Sequence, residues 1–282
     1  MSTAPVILLS GAGSGIGLNV LTQLLEKRPT PRIQVLTLCP TAELTTLETQ
    51  YGKSHLNTVY GDACDTSVVE KAVRETIANY GTMTHLISCI GTMLPVASIR
   101  DVPLADLKRI FDINYFSVVD LVQRSLPHLS PMSPSSASSE VTTQTQTQNP
   151  NPKPTIIIVT SGVDSTVLYR GWSGYCTSKA ALSRFIHLLA HEEGPDINVY
   201  GVLPLVTKSP MVDKIFNGEY DHVMHPEERE RFNTWANEGR IEPPEYIANA
   251  IVKAAVGEIT PESEEVERNE CGALFIGSLY QK

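Results

Sequence analysis

The chain has no Cys-x-x-Cys pair, no basic excess and no long apolar run. Each absence removes a class of protein. The five cysteines, Cys39, Cys64, Cys89, Cys176 and Cys271, are scattered and odd in number, which argues reduced thiols rather than a disulfide framework. Against 31 Asp and Glu there are 22 Lys and Arg, a formal charge of −9, which argues against a nucleic-acid partner. Part of that acidity is local, because "EITPESEEVERNE" (258–270) reads as a solvated acidic loop. No stretch approaches membrane-spanning length, and "MSTAPVILLSGAG" lacks the basic start and long apolar segment of a signal peptide. We therefore expect a cytoplasmic protein with no membrane partner. His187 and His191 stand four apart but lack the His-Glu-x-x-His order and a third ligand, so no metal is expected.

What is present is an alternation. With 282 residues and 41% hydrophobic content, the chain fits one large α/β domain or two small ones. Short apolar runs at 5–11, 32–39, 56–60, 85–91, 155–161, 197–203 and 272–277 read as strands. Several are apolar throughout rather than alternating, as strands buried on both faces require. Helical stretches at 15–27, 41–51, 66–80, 104–128, 174–193 and 244–256 fall between them. This pattern predicts a doubly wound, mostly parallel seven-stranded sheet in a single domain over 1–282.

Two segments interrupt the rhythm. Residues 130–154 are rich in Ser, Thr, Gln and Pro and predict a mobile surface insertion without a catalytic role. Residues 205–243 carry Pro210, Pro226 and Pro243 and two short helical stretches, near 210–217 and 226–238. An excursion beyond a strand's carboxyl end lies over the ligand crevice of such a sheet, which predicts a substrate lid.

Two local motifs carry chemistry. Gly11, Gly15 and Gly17 form G-x-x-x-G-x-G between the first strand and the first helix. Such glycines let backbone N–H groups approach a pyrophosphate at the helix N-terminus. Downstream, Tyr175 and Lys179 lie four apart, one above the other on a helix. With ten tyrosines and ten lysines, roughly 0.35 such pairs arise by chance, so the pair means little alone.

Together the glycine spacing and Tyr-x-x-x-Lys resemble the short-chain dehydrogenase/reductase family, over nearly the whole chain from Pro5 to Gly277. The resemblance implies a Rossmann-type fold, hydride transfer with a nicotinamide dinucleotide, and a tetrad of Asn114, Ser161, Tyr175 and Lys179. By it, Tyr175 donates a proton, Ser161 bonds the substrate oxygen, Lys179 tunes Tyr175 and bonds a ribose, and Asn114 holds a water. Ser165 is a second candidate for the serine, and Asp65 reads as a helix cap. The implied dinucleotide contacts begin with Gly11, Ser14, Gly15, Ile16 and Gly17 at the phosphate turn. They continue with Asp62 and Ala63 at the adenine, then Cys89 and Gly91 after the fourth strand. Asn114, Tyr175 and Lys179 follow, and Val206 and Thr207 lie at the nicotinamide.

The chain also departs from the family pattern. "SCIG" (88–91) replaces Asn-Asn-Ala-Gly, and in "PLVTKSP" (204–210) Leu205 replaces a Gly and Ser209 a Thr. Where the family places an acid to favour NAD, or a base to favour NADP, this chain has Cys39 and Pro40, and Ser14 precedes Gly15. The missing acid favours NADP, with NAD the alternative. Gly171-Trp172 before Tyr175, and Glu192-Glu193 at a helix end, are similar to the sepiapterin reductase and benzil reductase branch. That similarity implies reduction of a ketone, vicinal diketone or aldehyde by NADPH in a homodimer or homotetramer. "GALFIGSLYQK" lacks the acid with which sepiapterin reductases anchor a pterin, so an apolar carbonyl compound is expected. The competing expectation is a non-catalytic NAD(P)-binding regulator of the same fold.

Overall fold

The computed structural model describes residues 4–132, 153–163, 168–264, 266–268 and 274–276. Most of the expected insertion, together with Ser165 and Cys271, lies outside them. The strands are β1 (Val6–Ser10), β2 (Arg32–Thr37), β3 (Leu56–Tyr60), β4 (His85–Ser88), β5 (Thr155–Val159), β6 (Asn198–Val202), β7 (Val266–Arg268) and β8 (Leu274–Ile276). The α-helices are α1 (Gly15–Glu26), α2 (Ala42–Tyr51), α3 (Thr66–Tyr80), α4 (Leu104–Phe111), α5 (Ser117–Ser125), α6 (Ser173–Glu193), α7 (Pro210–Phe216), α8 (Pro226–Asn237) and α9 (Pro244–Ala255).

The strands form one sheet in the order β3-β2-β1-β4-β5-β6-β8-β7. Every pairing is parallel except β7 with β8. The central strands β1, β4 and β5 are buried along their whole length, which is why their sequences do not alternate. The expected doubly wound, mostly parallel sheet is therefore present, with eight strands among the described residues instead of seven. The addition is β7, inside the stretch expected as an acidic loop. Three residues suffice to pair the open edge of β8 antiparallel, and this signal is too short for periodicity to reveal.

Helices cover both faces. One core packs Leu21, Leu24 and Leu25 of α1 and Ile247 and Ile251 of α9 against the sheet. The other packs Val69 of α3, Leu121 of α5 and Leu182 and Ile186 of α6 against the opposite face. Asp65 caps α3, its carboxylate accepting from Ser67 N at 2.8 Å, as its place before the helix suggests. No helix among the described residues is long and apolar enough to cross a membrane.

The strands end earlier than their apolar runs. Gly11, Cys39, Cys89, Gly91 and Ser161 leave the sheet at its carboxyl edge and line a single cleft. Strand order reverses at β1 and β4, the place where such sheets open a crevice.

Candidate active site

The cleft encloses about 780 Å³ along this carboxyl edge. At its centre is the turn from β1 to α1. Gly11 has φ +78°, and a Cβ there would fall 2.8 Å from the carbonyl carbon of Cys89. A Cβ on Gly17 would overlap the carbonyl oxygen of Gly11. The two glycines thus bring the turn, the next strand end and the start of α1 into backbone contact. Ser14 is the N-cap residue of α1, and its side chain makes no capping hydrogen bond. The N–H groups of the first turn are left facing the cleft mouth, which Ser14, Gly15 and Ile16 line. A cradle that side chains would fill, opening on a helix N-terminus, fits the pyrophosphate of a dinucleotide.

Asp62 and Ala63, expected at the adenine, line the cleft beyond the end of β3. One Asp62 oxygen accepts from Cys64 N at 2.9 Å and the other from the Arg109 guanidinium at 2.6 Å. Those donors, the Cys64 N–H foremost, hold the carboxyl below its usual range. The end of β2 contributes Thr37, Leu38, Cys39 and Thr41, with no charge of either sign.

On the other side, α6 begins at Ser173 and carries Tyr175 and Lys179 along the cleft. Lys179 is 2% exposed. Its amine donates to Val159 O at 3.1 Å and Ile90 O at 3.4 Å, so it spans the carboxyl ends of β4 and β5. Burial lowers its pKa to about 8. The nearby Cys89 thiol is pushed up to about 12 by the same desolvation. Tyr175 is half-buried, its ring edge-on to Trp172 with centroids 6.0 Å apart. Ser161 also lines the cleft, and its hydroxyl accepts from Val163 N at 3.4 Å.

Asn114 is fully buried, and its bonds are non-local. The expected single helix over 104–128 contains one π-helical turn, Asp112–Phe116, and Asn114 lies on it. Its Oδ1 accepts from Thr92 N at 2.7 Å, and its Nδ2 donates to Thr92 O at 2.8 Å and Ser178 Oγ at 2.9 Å. The side chain therefore ties the loop after β4 to α6, one residue before Lys179. Gly91 lies between the two polar groups. A Cβ there would sit 3.2 Å from the Lys179 amine and 3.8 Å from Asn114 Oδ1. Any side chain at this position would crowd the Lys179 amine against the Asn114 amide.

Val206 and Thr207 complete this side of the cleft. The strand-like pairing of Thr207 with Glu242 fixes them, through Glu242 N to Val206 O at 2.9 Å and Lys208 N to Glu242 O at 2.8 Å. Ser209 caps α7, accepting from Val212 N at 3.3 Å.

Sequence reasoning named Trp172 but missed the aromatic wall it joins at the start of α6. Tyr169, Trp172 and Phe232 form one aromatic cluster, with centroids 4.4 Å apart for Tyr169–Trp172 and 5.3 Å for Tyr169–Phe232. Trp235 adds to it, 5.3 Å from Phe232. Glu228 of α8 joins this wall to the segment before α6. Its Oε1 accepts from Arg170 N at 3.0 Å, and its Oε2 accepts from its own helix cap, His225 N, at 2.9 Å. The aromatic spacing within α8, Phe232 and Trp235 at i and i+3, was the available signal.

A glycine cradle at a helix N-terminus, set at the switch point of a parallel sheet beside a Tyr–Lys helix, defines a dinucleotide-dependent oxidoreductase of the doubly wound class. The model of the short chain dehydrogenase family matches residues 5–219. An uncharacterised oxidoreductase of Schizosaccharomyces pombe is 32% identical over 87% of this chain and 88% of its own. A benzil reductase, (S)-benzoin forming, of Saccharomyces cerevisiae is 30% identical over 80% of this chain and 81% of its own. The crystal structure of the KRED1-Pglu enzyme superposes with a TM-score of 0.77 at 25% identity, covering 92% of this chain and 97% of that one. The chain belongs to the short-chain dehydrogenase/reductase family, in a benzil reductase-like branch, and is an oxidoreductase. Members of the family bind NAD or NADP.

Proposed function

We propose that the protein reduces an apolar ketone or vicinal diketone with NADPH. The observation that carries this reading is the meeting of Ser161, Tyr175 and the buried Lys179 at one cleft, against a wall of Tyr169, Trp172, Phe232 and Trp235. The benzil reductase relative supports a carbonyl substrate. Bound at the glycine cradle, the nicotinamide dinucleotide supplies the hydride.

The remaining work belongs to side chains. Tyr175 gives its phenolic proton to the substrate oxygen, and the Ser161 hydroxyl donates to that oxygen as negative charge develops on it. The Lys179 ammonium, one helical turn from Tyr175, favours the phenolate and so lowers the barrier to proton release. Asn114, in the role the family resemblance implies, holds a water through which the proton is replaced. Residues 205–243 act as the lid, with α7 and α8 closing the aromatic wall over the substrate and excluding water. Ser14, Thr37 and Thr41 supply uncharged donors for a ribose phosphate, which favours NADPH over NADH. The assembly is a homodimer or homotetramer, which sedimentation of the purified protein checks.

The test is NADPH oxidation by the purified protein with diaryl diketones, alkyl diketones, aldehydes and quinones. Turnover of the apolar diketones is expected. Tight nucleotide binding with no turnover of any compound would instead support the non-catalytic regulator.

A further inference from the structure

Among the described residues, the cleft is lined by three charged side chains: Asp62, Arg109 and Lys179. Lys179 serves the far end, committed to the carbonyls of Ile90 and Val159. The adenosine end therefore holds one carboxylate and one guanidinium, and they are paired. Arg109 reaches from α4 to Asp62, in the loop after β3, with Nη2 to Oδ2 at 2.6 Å. The other Asp62 oxygen is satisfied by Cys64 N. The adjoining β2 end offers hydroxyls, a thiol and backbone, but no ion.

A dinucleotide with an added ribose phosphate brings up to two further negative charges to this end. With Arg109 in place, the lining there is neutral overall. Without it, the same lining carries an unopposed carboxylate in a partly desolvated cleft, which repels the phosphate.

We propose that Arg109 sets dinucleotide selectivity: by pairing with Asp62 it cancels the one carboxylate of the cleft and makes the adenosine end tolerant of a ribose phosphate. Arg109 is thus a specificity residue that acts through Asp62. The inference rests on the NADPH reading but is tested separately from it.

The experiment is equilibrium binding of NADPH and NADH to the full chain, followed by nucleotide fluorescence at low and high salt. Arg109→Gln is expected to weaken NADPH about five-fold relative to NADH at low salt, and by less at high salt. Arg109→Lys keeps the charge and holds the wild-type ratio. The double variant Asp62→Asn with Arg109→Gln restores the ratio, because the exposed carboxylate is gone. An equal loss for both nucleotides in Arg109→Gln overturns the proposal. So does a double variant that keeps the Arg109→Gln ratio, an outcome that assigns Arg109 a direct phosphate contact. A wild type that binds NADH more tightly overturns the NADPH reading, while the change of ratio on losing Arg109 still decides this one. The pair is 50% and 40% exposed, so the substitutions leave folding intact.

Discussion

The two ends of the cleft are made of different material. The turn where we place the pyrophosphate is backbone: Gly11 and Gly17 let a turn, a strand end and a helix touch. The substrate end is side chain: aromatic rings from 169–172 and from α8 meet across segments far apart in sequence. At Gly11 and Gly17 a backbone site tolerates almost no substitution, because a Cβ there collides with backbone atoms. A side-chain site can be reshaped one ring at a time. Lys179 stands at the seam between them, and the buried Asn114 ties the loop after β4 to its helix.

The largest effect expected is at the seam. Tyr175→Phe should cut turnover about a thousand-fold, the middle of the range for losing a general acid, while nucleotide affinity by fluorescence holds. Gly17→Ala should break the backbone end: the added methyl meets Gly11 O, costing about 1–3 kcal/mol, with a lower melting temperature and nucleotide affinity down tenfold or more. Phe232→Ala should break only the other end, raising KM for a diaryl diketone about tenfold through lost ring contacts and leaving nucleotide affinity unchanged. If the nucleotide affinity falls as well, the two ends are not separable.

The smallest effect is one of stability. In the folded protein without nucleotide, burial lowers the Lys179 pKa to about 8 from an ordinary 10.5. Between those values the unfolded chain binds the extra proton, so this group makes the fold gain stability as pH rises through that window. Lys179→Met should remove that slope and raise the melting temperature at neutral pH, while abolishing turnover. Thermal melts between neutral and alkaline pH measure it.

What could be read from sequence follows the same division. The apolar runs, the glycine spacing and the Asp65 cap are local signals, and local structure obeys them. Asn114 was read correctly as helical, but α and π turns share the same side-chain pattern, so the turn that aims it at Thr92 and Ser178 was invisible. "SCIG" was read as a loss. In the structure Ser88 is bonded within the sheet, accepting from the Ser10 hydroxyl at 3.1 Å. Arg109 and Glu228 went unnoticed because their partners lie 47 and 58 residues away, beyond any periodicity. Only the packed sheet and helices bring those pairs together.

Glu228 has a consequence for inheritance and for engineering. One carboxylate both starts α8 and holds the backbone of Arg170, and Gly171 beside it packs on Val223. Residues 168–172 and 205–243 therefore form a single exchangeable cassette, although more than thirty residues separate them in the chain. A chimera that borrows the second segment from a relative has to borrow the first with it. Otherwise it joins a pocket wall to a segment shaped for another.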